Sequence, residues 1–126
     1  TEQELLNLHA HKTGALILAA VELGCTAGNA DPAVREAMQC YAAEVGLVFQ
    51  IVDDILDVTS TTEELGKPVG SDAENDKTTF VSLYGLDGAR CLAERHNATA
   101  LAALQNLGKE ADFLSMLASE LLQRKK

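Results

Sequence analysis

The run FQIVDDILDV, Phe49 to Val58, constrains this chain more than any other stretch. On a helix of about 100° per residue, with Asp53 at zero, Gly46 falls near 20°, Asp57 near 40°, Gln50 near 60° and Asp54 near 100°. Val45, Leu47, Val48, Phe49, Ile51, Val52, Ile55, Leu56 and Val58 occupy the arc from about 120° to 320°. The segment therefore reads as a mostly buried helix carrying one narrow acidic stripe.

That stripe contains no Lys or Arg. Like charges one turn apart repel, and they repel more strongly as the local dielectric falls. A cation is expected to offset them. Hard divalent ions take carboxylate oxygens, and Mg²⁺ takes one or two from protein, with water and phosphate completing its shell. The alternative is a solvated acidic face beside a core stripe.

Composition narrows the function classes. A chain of 126 residues makes one domain at most, and 47% hydrophobic residues with two prolines suffice for a core. A net charge of −9 argues against nucleic acid and against an anionic membrane surface. A phosphorylated substrate would have to be met by local lysines and metal. Cys25, Cys40 and Cys91 make an odd number without metal-like spacing, which suits a reducing, cytoplasmic location. The apolar run Ala15–Val21 is too short to span a bilayer. The chain opens on Thr1 directly in helical pattern, so a piece of a longer protein is expected.

No strand alternation and no internal repeat is visible, and the expected fold class is all-α with short connections. One helix is expected from Glu2 to Leu23, stopped by Gly24, with the stretch GALILAAVELG buried on every side. Asp31 as N-cap and Pro32 at the first helical position open a second helix to Val58. Residues 59–76 are expected as a loop. Asn75 or Asp76 would cap a short helix from Lys77 to Tyr84, stopped by Gly85. Asp87 would cap the next, to Leu107. After Gly108 a last helix, Lys109 to Gln123, would turn Phe113, Leu114, Leu117, Leu121 and Leu122 inward, its dipole complemented by the tail Arg124-Lys125-Lys126.

Long structureless loops in compact domains are usually functional or disordered. The loop after the stripe carries Lys67, and Lys77 follows it. Folded back, both ammonium groups would face the aspartates across an anion such as diphosphate, since lysine is a common point-charge phosphate binder. The alternative is an acidic surface loop with ordinary lysines. A third polar island, HAHKTG, sets Lys12 and Thr13 just before the apolar turns, while His9 and His11 read as ordinary polar positions.

These islands, HKTGALI, GLVFQIVDDILDV and LGKPVGSDAENDKTTFVSLYGLDGAR, occur in this order and closely resemble the C-terminal part of bacterial trans-prenyl diphosphate synthases of the farnesyl/geranylgeranyl type. The resemblance covers the whole chain. It implies the helical bundle of isoprenoid synthases, Mg²⁺ as cofactor, and condensation of an allylic diphosphate with isopentenyl diphosphate by a homo-oligomeric, typically dimeric, enzyme. It makes Asp53 the direct Mg²⁺ ligand, with Asp54 and Asp57 closing the shell, partly through water. It puts Lys12, Lys67 and Lys77 on the diphosphate, and turns oxygens of Thr13 and Gln50 toward the developing cation. The position of Gln50 within the acidic stripe agrees.

The departure from the family is a matter of extent. The first aspartate-rich motif and the basic residues for isopentenyl diphosphate lie N-terminal to the Lys-Thr island in the family, and no second cluster of that type exists here. Residues 1–126 are therefore expected to be the C-terminal part of a single synthase domain. A non-catalytic helical subunit that modulates a full-length synthase is the alternative. A class I terpene cyclase is disfavoured: from Asp57 the cyclase triad would need a hydroxyl residue and then a Glu, and the second position falls on Leu65.

Overall fold

The computed structural model describes residues 1–59 and 78–125. Among these the elements are α1 (Glu2–His11), α2 (Thr13–Ala27), α3 (Pro32–Thr59), α4 (Phe80–Ala103), a 3₁₀ segment (Gln105–Ala111) and α5 (Asp112–Gln123), with no strand. None of the helices is long and apolar enough to cross a membrane.

α3 is the spine. It starts at the expected Pro32, and the Asp31 carbonyl accepts from the Arg35 N–H at 2.9 Å. Its apolar arc buries Val48, Ile51, Val52, Ile55 and Leu56 against Leu5 of α1 and Phe80, Ala89 and Ala93 of α4. Tyr41 and Val45 form a second cluster with Ala100, Leu104, Ala111 and Ala118. The buried Tyr41 hydroxyl donates to the Leu114 carbonyl at 2.7 Å, which fixes α5 against α3. Small residues on α4 and α5 let these helices approach the spine closely.

The first expected helix is two helices. The backbone breaks at Lys12 (φ −103°, ψ −103°). Gly14 permits the break, because a Cβ there would stand 3.1 Å from the His9 carbonyl oxygen. α2 crosses α3 at the same place: a Cβ on Gly46 would lie 3.3 Å from the Gly14 Cα. Nor does Gly24 stop α2, which runs on to Ala27. The chain turns instead at Asn29, whose φ of 53° places it in the left-handed region that Asn tolerates. At that end, Arg35 donates to Glu22 at 3.0 Å and ties α2 to α3.

Other expectations need correction. Only Cys25 of α2 is buried, and Leu16 and Leu23 are 73% and 72% exposed. An apolar helix cannot be enclosed when all its described neighbours lie on one side. Thr79 caps α4: its hydroxyl accepts from the Ser82 N–H, and Ser82 reciprocates, while Asn75, Asp76 and Lys77, where the sequence predicts a cap and a helix start, lie outside the described residues. Gly85 interrupts α4 as expected: its φ of 76° and ψ of 171° are non-helical and divide the element into two helical pieces, the second of which ends at Ala103 rather than Leu107. α5 begins at Asp112, and Phe113 is 64% exposed rather than inward. Ala118 centres the buried face, and five helical positions place Phe113 about 140° away from it.

Candidate functional site

Gly46 lets α3 approach the α1–α2 joint, and one turn further on the stripe Gln50 meets Thr13. The Gln50 Nε2 donates to Thr13 Oγ1 at 2.6 Å. Residues assigned one role from separate islands are thus in contact. The next turn carries Asp53. A cavity of about 560 Å³ opens here, and Lys12, Gln50, Asp53 and Asp54 all line it, with His9 and Thr79.

The aspartates occupy different environments. Asp53 is partly exposed at the cavity. Asp54 is buried, and its Oδ2 accepts from the Phe80 N–H at 2.9 Å. It therefore serves the N-terminus of α4, where unpaired N–H groups favour a carboxylate. Asp57 is 1% exposed and is not among the residues lining the cavity. Lys67 and Lys77 lie outside the described residues.

Sequence reasoning missed two residues here. His9 is not an ordinary polar position. Its ring stacks on Phe80, centroids 5.3 Å apart and planes 23° from parallel. Both ring nitrogens are buried and find no hydrogen-bond partner among the described residues. Burial pushes its pKa below the ordinary histidine value, the Lys12 charge pushes further, and Asp53 partly opposes. The only hint in sequence is its place one turn before Thr13. His11, in contrast, faces solvent and pairs with the Asn7 carbonyl.

The second is Arg124, which does more than complement the α5 dipole. The backbone leaves the helix there (φ −61°, ψ 151°), and the guanidinium returns to α3. It donates to the Phe49 carbonyl at 3.1 Å, covers the Phe49 ring at 4.4 Å, and stands 3.8 Å from Asp53 Oδ1. Burial lowers its pKa, and Asp53 pulls it back. The cation lacking from the acidic stripe is thus supplied from 75 residues beyond Phe49 in sequence. No local signal could have revealed it.

No trio of His, Cys, Asp and Glu among the described residues is arranged to hold a metal ion. Asp53, at the cavity, nevertheless suits a hard ion that takes one or two carboxylates and completes its shell with water and phosphate.

Comparison with known proteins decides the family. The model of the polyprenyl synthetases matches residues 1–122. The chain belongs to the polyprenyl synthetase family. It is 41% identical over 126 residues to the farnesyl diphosphate synthase of Micrococcus luteus, covering all of this chain and 43% of that protein. It is 49% identical over 88 residues to geranylgeranyl pyrophosphate synthase 9, chloroplastic, of Arabidopsis thaliana, covering 70% of this chain and 24% of that protein. The crystal structure of an FPP/GFPP synthase from Zymomonas mobilis superposes with a TM-score of 0.74 at 36% identity, over 93% of this chain and 37% of that one. The all-α fold is thus that of the family's synthases. The chain spans well under half the length of these synthases.

Proposed function

We propose that the protein carrying this chain is a prenyl diphosphate synthase of the farnesyl or geranylgeranyl type, which joins an allylic diphosphate to isopentenyl diphosphate. The observation that carries the reading is the meeting of Lys12, Thr13, Gln50 and Asp53: the Thr13–Gln50 bond lies beside a cavity lined by Lys12, Gln50 and Asp53. The matched family and the names of its members support the same chemistry.

In this reading the allylic C–O bond breaks and its electron pair leaves with diphosphate. The isopentenyl double bond then forms the new C–C bond, and a proton is lost to the released diphosphate. Lys12 stabilises the leaving group as its charge develops, and Lys67 and Lys77 join it from beyond the described residues. The Gln50 amide nitrogen is committed to Thr13. Its amide oxygen remains available to face the allylic cation, together with the Thr13 hydroxyl oxygen. Asp53 would hold Mg²⁺ directly, with Asp54 and the buried Asp57 closing its shell, partly through water. Bound Mg²⁺ supplies Lewis-acid stabilisation of the departing diphosphate. The active enzyme is proposed as a cytoplasmic homo-oligomer.

The test is product formation from allylic and isopentenyl diphosphates by the full-length protein with Mg²⁺. Asp53→Ala should lower turnover at least about a hundredfold with helix content intact, a loss typical of removing a main source of charge stabilisation. Near-normal turnover in saturating Mg²⁺ would refute the assignment.

A further inference from the structure

Arg124 stands 3.8 Å from the Oδ1 of Asp53, so a guanidinium already offsets the carboxylate that the reading above gives to a divalent ion. Resting on that reading, we infer that Arg124 is an exchangeable counter-ion: it occupies the cation position at Asp53 until a divalent ion displaces it from that carboxylate.

The geometry suits exchange better than a permanent tie. At 3.8 Å the pair lies beyond hydrogen-bond length, so it is chiefly coulombic. The firmer holds are a single hydrogen bond to the Phe49 carbonyl and the face of the Phe49 ring. The Nε is buried and has no partner among the described residues, which makes the docked state costly. Arg124 also follows the end of α5 with extended backbone, so its release needs no helix to unfold. Without it, the carboxylates of Asp53 and Asp54, neighbours in sequence and both at the cavity, would repel each other more strongly. A guanidinium held in place suppresses that repulsion. A divalent ion, with twice the charge and direct coordination, replaces it.

Mn²⁺, which takes the same oxygen ligands as Mg²⁺, is the probe. Its binding to the full-length protein is measured by the electron paramagnetic resonance of free Mn²⁺, with helix content checked by circular dichroism. Arg124→Gln should tighten Mn²⁺ binding about threefold or more, the scale of a partly exposed ion pair. Arg124→Lys, which keeps the charge, should stay near the parent affinity. In the Asp53→Asn background, Arg124→Gln should have no effect, because the cycle isolates the pair. An unchanged or weaker affinity in Arg124→Gln, or the same gain with Asp53 neutralised, overturns the exchange. If Asp53→Asn still weakens Mn²⁺ binding in that case, the metal assignment stands without it. Absence of Mn²⁺ binding in every variant overturns both. A separate readout is the Arg124 Nε–H resonance: on addition of Mg²⁺ it should lose its protection from solvent exchange, and persistent protection at saturation argues against release.

Discussion

The Gln50 amide of α3 and the Thr13 hydroxyl at the start of α2 are joined by a 2.6 Å hydrogen bond. The bond sets the orientation of Gln50 and stitches the α1–α2 joint to the acidic helix. Thr13→Val keeps the volume and removes the acceptor. Leaving a half-buried amide unpaired should cost about 1–2 kcal/mol of stability. In the proposed synthase, turnover should fall about tenfold as the amide reorients, by analogy with other misplaced positioning groups. Denaturant titration and steady-state kinetics check both, and an unchanged turnover would remove Gln50 and Thr13 from the reaction.

Asp54 has a structural duty that Asp53 lacks. Its Oδ2 receives the Phe80 N–H at the first turn of α4. Asp54→Ala should destabilise the chain by about 1–3 kcal/mol, through a lost cap and a buried N–H left without its acceptor. Asp53→Ala, at a partly exposed site, should cost less stability. Urea midpoints of the two variants decide this, and equal losses would contradict the division of roles.

His9 makes stability depend on pH. Its folded-state pKa is lowered from the ordinary value of 6.5, chiefly by burial. The unfolded chain therefore takes up a proton more readily than the folded one. Its contribution is fully present above pH 6.5 and is lost as pH falls from there through the folded-state value. Replacing His9 with Phe keeps a ring to stack on Phe80 and removes the proton site. The variant should show a flatter decline of melting temperature between neutral and mildly acidic pH. A slope identical to the parent's would show that other groups set it.

The exposed face of α2 predicts association. Leu16 and Leu23, seven positions apart and so on one side of the helix, are each more than two-thirds exposed. Soluble monomers rarely expose contiguous apolar patches beyond a few hundred Å². The 126-residue chain by itself should self-associate at micromolar concentration, and Leu16→Lys/Leu23→Lys should shift it toward monomer. It should also form no prenyl product, because the proposed metal–diphosphate cluster needs a second aspartate-rich motif. Sedimentation of the parent chain as a stable monomer would contradict the first expectation. Product from the chain alone would contradict the second.

Much of the architecture is a local matter and was readable from the sequence. The stripe of Gln50, Asp53, Asp54 and Asp57 follows from helical periodicity, and so does the arc that buries Val48, Ile51 and Val52. The start of α3 at Pro32 follows from turn chemistry that spans a few residues. Tertiary structure decided the rest. The break at Lys12 depends on α3 pressing Gly46 against Gly14, a contact between distant segments. The burial of His9 depends on Phe80 arriving from α4. Asp54 and Asp57 look equivalent to Asp53 in the run DDILD. They separate only because the N-terminus of α4 claims one and the core encloses the other. Arg124 reaches Asp53 because α5 packs on α3 through Tyr41 and Leu114. Periodicity tells a residue which side of its own helix it occupies. Which partner meets that side is set by packing between segments far apart in sequence, where hydrophobic burial chooses the arrangement and individual polar contacts follow from it.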